Sequence, residues 1–303
     1  MTEESAVLID GPWTHRTVSA AGTRFHIAEC GEGPLVLLLH GFPQFWWAWH
    51  EQMTALAGAG YRVVALDQRG YGASDKPPRG YDLITLASDA AGLIRALGEA
   101  DAAVVGHAGG GLLAWTMAVY FPQTVRRLAV LSMPHPRRLR EAVLTGGQGW
   151  AGRHVAGFQV PVVPERRLVA DDARHVADML RAWSRPGWPD PQTERHLRDA
   201  MRIPGVAHCS LEFHRWLVRS QFRPDGHRYM RRMRRPITVP TLHLHGALDP
   251  VLLPATARGS GRYVDAPYRW RLIEGAGHFP HQERPRRVND VLTGWLADTE
   301  PDD

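Results

Sequence analysis

The chain has 303 residues, 44% of them hydrophobic, and a formal net charge of +5, which suits one large or two smaller globular domains with a sizeable core. No apolar run approaches the roughly 18–20 residues of a membrane span, so no transmembrane helix and no membrane partner are expected. The opening MTEESAVLIDGPW has no basic segment followed by an apolar one, so no signal peptide is expected.

In chain order, residues 13–20 and Thr23–Cys30 read as an antiparallel pair on the edge of a sheet. Residues 34–40 (PLVLLLH) form a short continuous apolar run of the kind a buried parallel strand needs, and the theme repeats at 61–67, Ala102–His107 and 126–132. Helical segments lie between these runs at 45–59, 84–97 and 110–120, the last ended by Pro122. Strands alternating with helices predict a mostly parallel α/β sheet with helices on both faces.

The alternation stops after Ser132. A stretch of about a hundred residues without a buried strand follows, far longer than an ordinary connection. It is rich in Arg, Trp and Pro, with helical patches at 170–184, 192–201 and 210–221. Strand patterning resumes at Thr241–Gly246 and Tyr268–Ile273. We therefore expect a core built from residues 1–134 and 237–303, with a helical cap, 135–236, inserted between two strands of one sheet. No internal repeat or low-complexity tract is present, and the tail DTEPDD is expected to be disordered.

Cys30 and Cys209 are far apart and fit no metal spacing, so they read as reduced thiols of a cytoplasmic protein, with no metal and no cofactor expected. Nearly every cation is arginine; Lys76 is the only lysine. The densest basic patch, HRYMRRMRRP at 227–236, reads as a solvated helical face, and with no recognised nucleic-acid motif beside it no nucleic-acid partner is expected.

The chemistry-bearing motifs fall at strand C-termini, where open α/β sheets bind ligands. In VVGHAGGG, residues 104–111, a valine run stops at a glycine and a small-residue helix begins. That is the form of a nucleophile elbow, with the pattern small–x–nucleophile–x–small. Laid on Gly106 to Gly110, the pattern puts Ala108 at the nucleophile position. HGFP (40–43) follows the first buried strand, HGALDPVLLP carries Asp249, and IEGAGHFPHQE carries His278. Nucleophile position, acid, histidine is the chain order of the α/β-hydrolase triad and differs from other serine-hydrolase folds.

On these motifs the chain resembles α/β-hydrolase-fold enzymes, and within them the epoxide hydrolase-like branch, from about Gly11 to Trp295. HGFPQFWWAW (40–49) is similar to that branch's oxyanion-loop motif, and DQRGYGASDKP (67–77) to its turn after the next strand. The resemblance implies an elbow aspartate that opens an epoxide through an ester, a His–Asp pair that activates water, and two cap tyrosines that hold the epoxide oxygen. By that resemblance His278 is the base, Asp249 its orienting acid, and the amides of Phe42 and Gly109 the oxyanion hole. Four departures oppose it: Ala108 for the aspartate, Gly109 for the tryptophan that commonly follows, His214 in EFHRW (212–216) for one tyrosine, and no tyrosine in HVAGFQVP (154–161) for the other.

His40, Trp46, His154 and His214 are carried as substrate-pocket residues, although Trp46, Trp47 and Trp49 read mostly as packing and His40 as ordering the oxyanion loop. His107, Asp67 and Arg69 read as structural. Tyr229, the cap's only tyrosine, is expected at the surface among arginines, and no base is evident beside Cys209. Three functions follow. In the first, the protein acts on or binds a small apolar, epoxide-like molecule, with the His278–Asp249 pair as general base and no covalent intermediate. The second is an inactive binding or regulatory protein. The third is an epoxide hydrolase with an engineered Asp-to-Ala change, which one substitution does not reconcile with Gly109 and His214. Halide-releasing chemistry is disfavoured, because Phe42 and Gly109 stand where a halide-holding Asn or Trp would be sought.

Overall fold

A computed structural model describes residues 3–298, so of the DTEPDD tail only Asp298 lies among the described residues. The N-terminal hairpin pairs β1 (Thr14–Ala20) with β2 (Thr23–Cys30), from Thr14 opposite Glu29 to Ala20 opposite Thr23. Its two turn residues, Ala21 and Gly22, have φ of 49° and 75°, the left-handed pair whose twist matches a two-residue hairpin. The remaining strands are β3 (Leu35–Leu39), β4 (Arg62–Leu66), β5 (Ala102–His107), β6 (Val125–Leu131), β7 (Thr241–Gly246) and β8 (Tyr268–Ile273). They form one sheet of order β1-β2-β4-β3-β5-β6-β7-β8, antiparallel as far as β2–β4 and parallel beyond it.

Three helices precede the end of β6: α1 (His50–Gly58), α2 (Leu83–Ala96) and α3 (Gly109–Tyr120). Between β6 and β7 lie α4 (Pro136–Thr145), α5 (Gln148–Ala151), α6 (His154–Gly157), α7 (Val163–Trp183), α8 (Pro191–Arg202), α9 (Val206–Arg219) and α10 (Pro224–Arg232), with no strand among the described residues. The chain closes with α11 (Pro254–Arg258), α12 (Pro280–Glu283) and α13 (Pro285–Leu296). The α/β-hydrolase fold expected from the sequence, with its helical insertion between two strands, is the fold observed.

The core follows from strand periodicity. Val36, Leu38, Ala103 and Val105 pack with Met53 and Leu56 of α1 and with Val291 and Trp295 of α13 on one face. Leu35, Leu37, Leu39 and Val104 pack with α2 and α3 on the other. Covering both faces makes these strands apolar throughout rather than alternating.

Two helices differ from expectation. The segment 45–59 is a short 3₁₀ turn at Trp46–Trp49 followed by α1, because the Trp46 N–H donates to the buried Asp67 Oδ1 at 2.9 Å. The patch at 170–184 is the second part of α7, whose axis breaks at Ala170–Ala173, where Asp171, Asp172 and Ala173 have φ of 50°, 57° and 54°.

The insertion is pinned over the C-terminal ends of the strands. Gln148 donates to the Val251 carbonyl at 2.8 Å and accepts from the Leu253 amide at 3.0 Å. The Arg185 amide donates to Glu283 Oε2 at 2.7 Å. Within the insertion, buried Arg215 on α9 donates to the carbonyls of Phe158 and Val160, each at 3.0 Å, and meets Glu165 at 2.7 Å.

Candidate active site

Ala108 joins β5 to α3 at φ 47° and ψ −115°, a region that residues with a Cβ occupy at a cost of about 1–3 kcal/mol. Close backbone contacts enforce it. A Cβ on Gly106 would lie 2.2 Å from the Gly110 carbonyl oxygen, and one on Gly110 would lie 2.2 Å from that of Leu39. These are the two small positions of the elbow pattern, and nothing larger than glycine fits either. The Ala108 amide donates to the Leu131 carbonyl at 3.0 Å, which ties the turn to the neighbouring strand.

Asp249 lies beyond β7. Its Oδ1 accepts the amides of Val251 and Leu252, both at 2.9 Å, which leaves Oδ2 to accept from His278 Nδ1 at 2.9 Å. Burial pushes the Asp249 carboxyl up, but the His278 and His245 rings and the Leu252 amide outweigh it and hold it below the usual carboxylate range. An ionised carboxylate can only accept, so His278 Nδ1 carries a proton, and in the neutral ring Nε2 presents a lone pair. The His278 backbone is gripped from both sides. Its N–H donates to the Trp183 carbonyl at 2.8 Å, and its carbonyl accepts from His107 Nε2 at 2.7 Å.

A cavity of about 680 Å³ lies between the elbow and the insertion. Ala108, Gly109, Phe42, His278, His154 and His214 all line it, so the structure brings together six of the residues singled out in the sequence; Asp249 stands behind His278. Burial beside His214 and His278 lowers the His154 pKa to about 3, and burial lowers that of His214 to about 4, so both rings are neutral at pH 7. His214 Nδ1 donates to the Ser210 carbonyl at 2.9 Å.

Two of the expected pocket residues are elsewhere. Trp46 is fully buried, donates from its indole to the Val7 carbonyl at 2.7 Å, and packs edge-on against Trp13, His15, His26, Phe45 and Trp47, which leave it no face for a ligand. His40 is also fully buried and off the cavity wall. Its Nδ1 donates to the Gly41 carbonyl at 3.0 Å and its Nε2 accepts from the Gln68 amide at 3.2 Å. It orders the loop rather than meeting a ligand.

The surface position expected for Tyr229 is also corrected. It is 3% exposed, lines the cavity, and its hydroxyl lies 2.9 Å from that of Thr116. Tyr229 and Met233 are one helical turn apart and face inward while Arg228, Arg231, Arg234 and Arg235 are exposed; that i, i+4 spacing was the available signal. Among the cavity-wall residues to which the sequence gave no role are Trp183 and Phe213. Phe213 lies 3.3 Å from where a Cβ on Gly109 would sit, so any side chain at 109 would require the Phe213 ring to give by a few tenths of an ångström. Among the described residues no group of three or more His, Cys, Asp or Glu side chains is placed to hold a metal ion.

The sequence profile of the alpha/beta hydrolase fold matches residues 34–285. The chain belongs to the α/β-hydrolase fold family. This α/β-hydrolase is 34% identical to epoxide hydrolase 3 of Xenopus tropicalis, over 92% of this chain and 76% of that protein. It is 32% identical to epoxide hydrolase A of Mycobacterium tuberculosis, over 96% of this chain and 99% of that protein. The crystal structure of epoxide hydrolase A from Mycobacterium thermoresistibile superposes with a TM-score of 0.83 at 32% identity, covering 96% of this chain and all of that one. No helix among the described residues of the α/β-hydrolase is long and apolar enough to cross a membrane.

Proposed function

We propose that this α/β-hydrolase acts on a small, largely apolar, epoxide-like molecule by general-base catalysis, with Ala108 occupying the nucleophile position of its epoxide hydrolase relatives. The molecule is held between the core and a cap formed by residues 135–236. The observation that carries the reading is the His278–Asp249 hydrogen bond of 2.9 Å on a cavity whose elbow bears only a methyl group. A methyl group cannot attack carbon, so no ester forms at residue 108. His278 Nε2 instead takes a proton from a water molecule as the water oxygen bonds to the electrophilic carbon. The carbon–oxygen bond of the ring breaks with its electron pair on oxygen, and the imidazolium returns the proton to that oxygen. Asp249 fixes the tautomer and stabilises the imidazolium. For an ester or lactone the amides of Phe42 and Gly109 would face the developing oxyanion.

The test is product formation from a panel of epoxides, esters and lactones. His278→Ala should lower turnover about 10²–10⁴-fold, as loss of a general base does, with little change in ligand affinity. Equal non-zero rates in both proteins would reject the mechanism. Absence of turnover across the panel, with ligand binding intact, would favour a binding protein built on the same fold.

A further inference from the structure

The hydrogen-bonding polarity of the cavity wall is set by groups behind it. His214 Nδ1 lies 2.9 Å from the Ser210 carbonyl oxygen, which can only accept. The neutral ring therefore carries its proton on Nδ1, and Nε2 is a bare lone pair. His278 is held in the same tautomer by Asp249. Tyr229 offers no compensating donor: the Thr116 hydroxyl donates to the Leu112 carbonyl at 2.8 Å, so the Tyr229 hydroxyl donates to Thr116. The lining amides each give a donor to a backbone carbonyl: Gln148 to Val251 at 2.8 Å, Gln159 to Val155 and His214 at 3.0 and 3.3 Å, and Gln221 to Leu217 at 3.0 Å. Other side-chain donors on the wall are the His154 ring, the indoles of Trp183 and Trp216, and the exposed guanidinium groups of Arg140 and Arg153; the Phe42 and Gly109 amides of the proposed oxyanion hole are backbone donors at the elbow, distinct in role from His214 Nε2.

An epoxide oxygen only accepts hydrogen bonds, so opposite His214 Nε2 it would leave two lone pairs facing each other. A hydroxyl donates. We infer that the cavity selects a ligand with a hydroxyl-bearing polar end on an apolar body, an alcohol or vicinal diol, over the epoxide of the same skeleton, and that His214 sets this preference. The inference rests on the reading of the cavity as the ligand site and refines what it holds. The ring stays neutral across the neutral pH range because burial lowers the His214 pKa to about 4. At that protonation state His214 is an acceptor, and the ligand must supply the proton of the hydrogen bond.

The experiment is equilibrium binding by calorimetry at pH 7.5 with three ligands of one skeleton: 1,2-diphenylethane-1,2-diol, trans-stilbene oxide and bibenzyl. Unpaired buried acceptors cost about 1–3 kcal/mol, or roughly 5–150-fold, so the diol should bind on the order of 10-fold tighter than the epoxide. His214→Phe should bring diol and epoxide within about twofold while bibenzyl affinity is kept, which also shows that the cavity is intact. His214→Tyr supplies a phenol and should reverse the preference toward the epoxide. His278→Ala prevents conversion of epoxide during the measurement and should keep the diol preference. A diol that binds no tighter than the epoxide, that shows no saturable binding, or that keeps its advantage in His214→Phe overturns the inference. Because binding is read without turnover, the diol preference can hold while the panel of substrates shows none, and the reverse, so the inference and the general-base mechanism fail separately.

Discussion

Ala108 carries a strained backbone with φ of 47° and a side chain with no chemistry. The strain is a property of the turn, which the Gly106 and Gly110 contacts impose whatever residue stands between them. A carboxylate placed there would therefore be presented to the cavity on the same wall as His278. Incubated with styrene oxide, the unaltered protein should show no ester on the elbow peptide by mass spectrometry. Ala108→Asp should form one, and Ala108→Asp/His278→Ala should accumulate it, since the base that would hydrolyse it is gone. An adduct at the elbow of the unaltered protein would refute the reading of position 108. A folded double variant that forms none would show that the reacting carbon does not reach this turn.

At the scale of elements, the β5–turn–α3 unit depends on close approach of backbones rather than on side-chain packing. Gly110→Ala puts a methyl 2.2 Å from the Leu39 carbonyl oxygen and 2.5 Å from that of His40, neither of which can rotate away. It should destabilise the protein by at least about 2 kcal/mol, seen as a lower midpoint in urea unfolding. Gly58 in α1 is the contrast. A Cβ there meets nothing within 4 Å, and Gly58→Ala should be neutral or stabilising by up to about 1 kcal/mol. Equal effects of the two substitutions would show that the elbow tolerates a shift of α3 away from β3.

The whole molecule holds an unusual number of buried histidines. Burial lowers the pKa of His107, His243 and His281 well below 6.5, that of His135 to about 3 and that of His214 to about 4. In the unfolded chain these rings protonate near pH 6.5. The unfolded state then binds more protons than the folded one, so their contribution to stability is complete above pH 6.5. It is lost as pH falls from 6.5 toward the folded values, at up to about 1.4 kcal/mol per ring per pH unit. Carboxylates contribute mainly below about pH 5, so the window from 6.5 to 5 belongs chiefly to histidine. The melting temperature should fall steeply between pH 7.5 and 5.5. His135→Phe, which keeps a ring stacked on Tyr263, should reduce the slope by about one proton. A flat profile would refute the account.

The sequence by itself determined the order of strands and helices, the place of the insertion, and the two turns that hold Ala108 and His278, because each is written in local terms. Continuous valine and leucine runs mean strands covered on both faces, and Gly106 and Gly110 mark backbones that touch. It also showed Asp249 and His278 in an order that makes them partners. What only the tertiary structure decided is which side chains meet around the cavity. His40 begins the HGFP loop and Trp46 follows it by three residues, yet their rings turn into the core, toward Gln68 and Val7. Tyr229 is surrounded by arginine, yet its helix lies so that it reaches Thr116 of α3. The polarity of His214 depends on a carbonyl one turn back on its own helix and on burial by Phe42 and Phe158, residues from distant segments. Hydrogen-bond direction and burial belong to the packed molecule, since each is fixed by neighbours that the chain brings together only on folding.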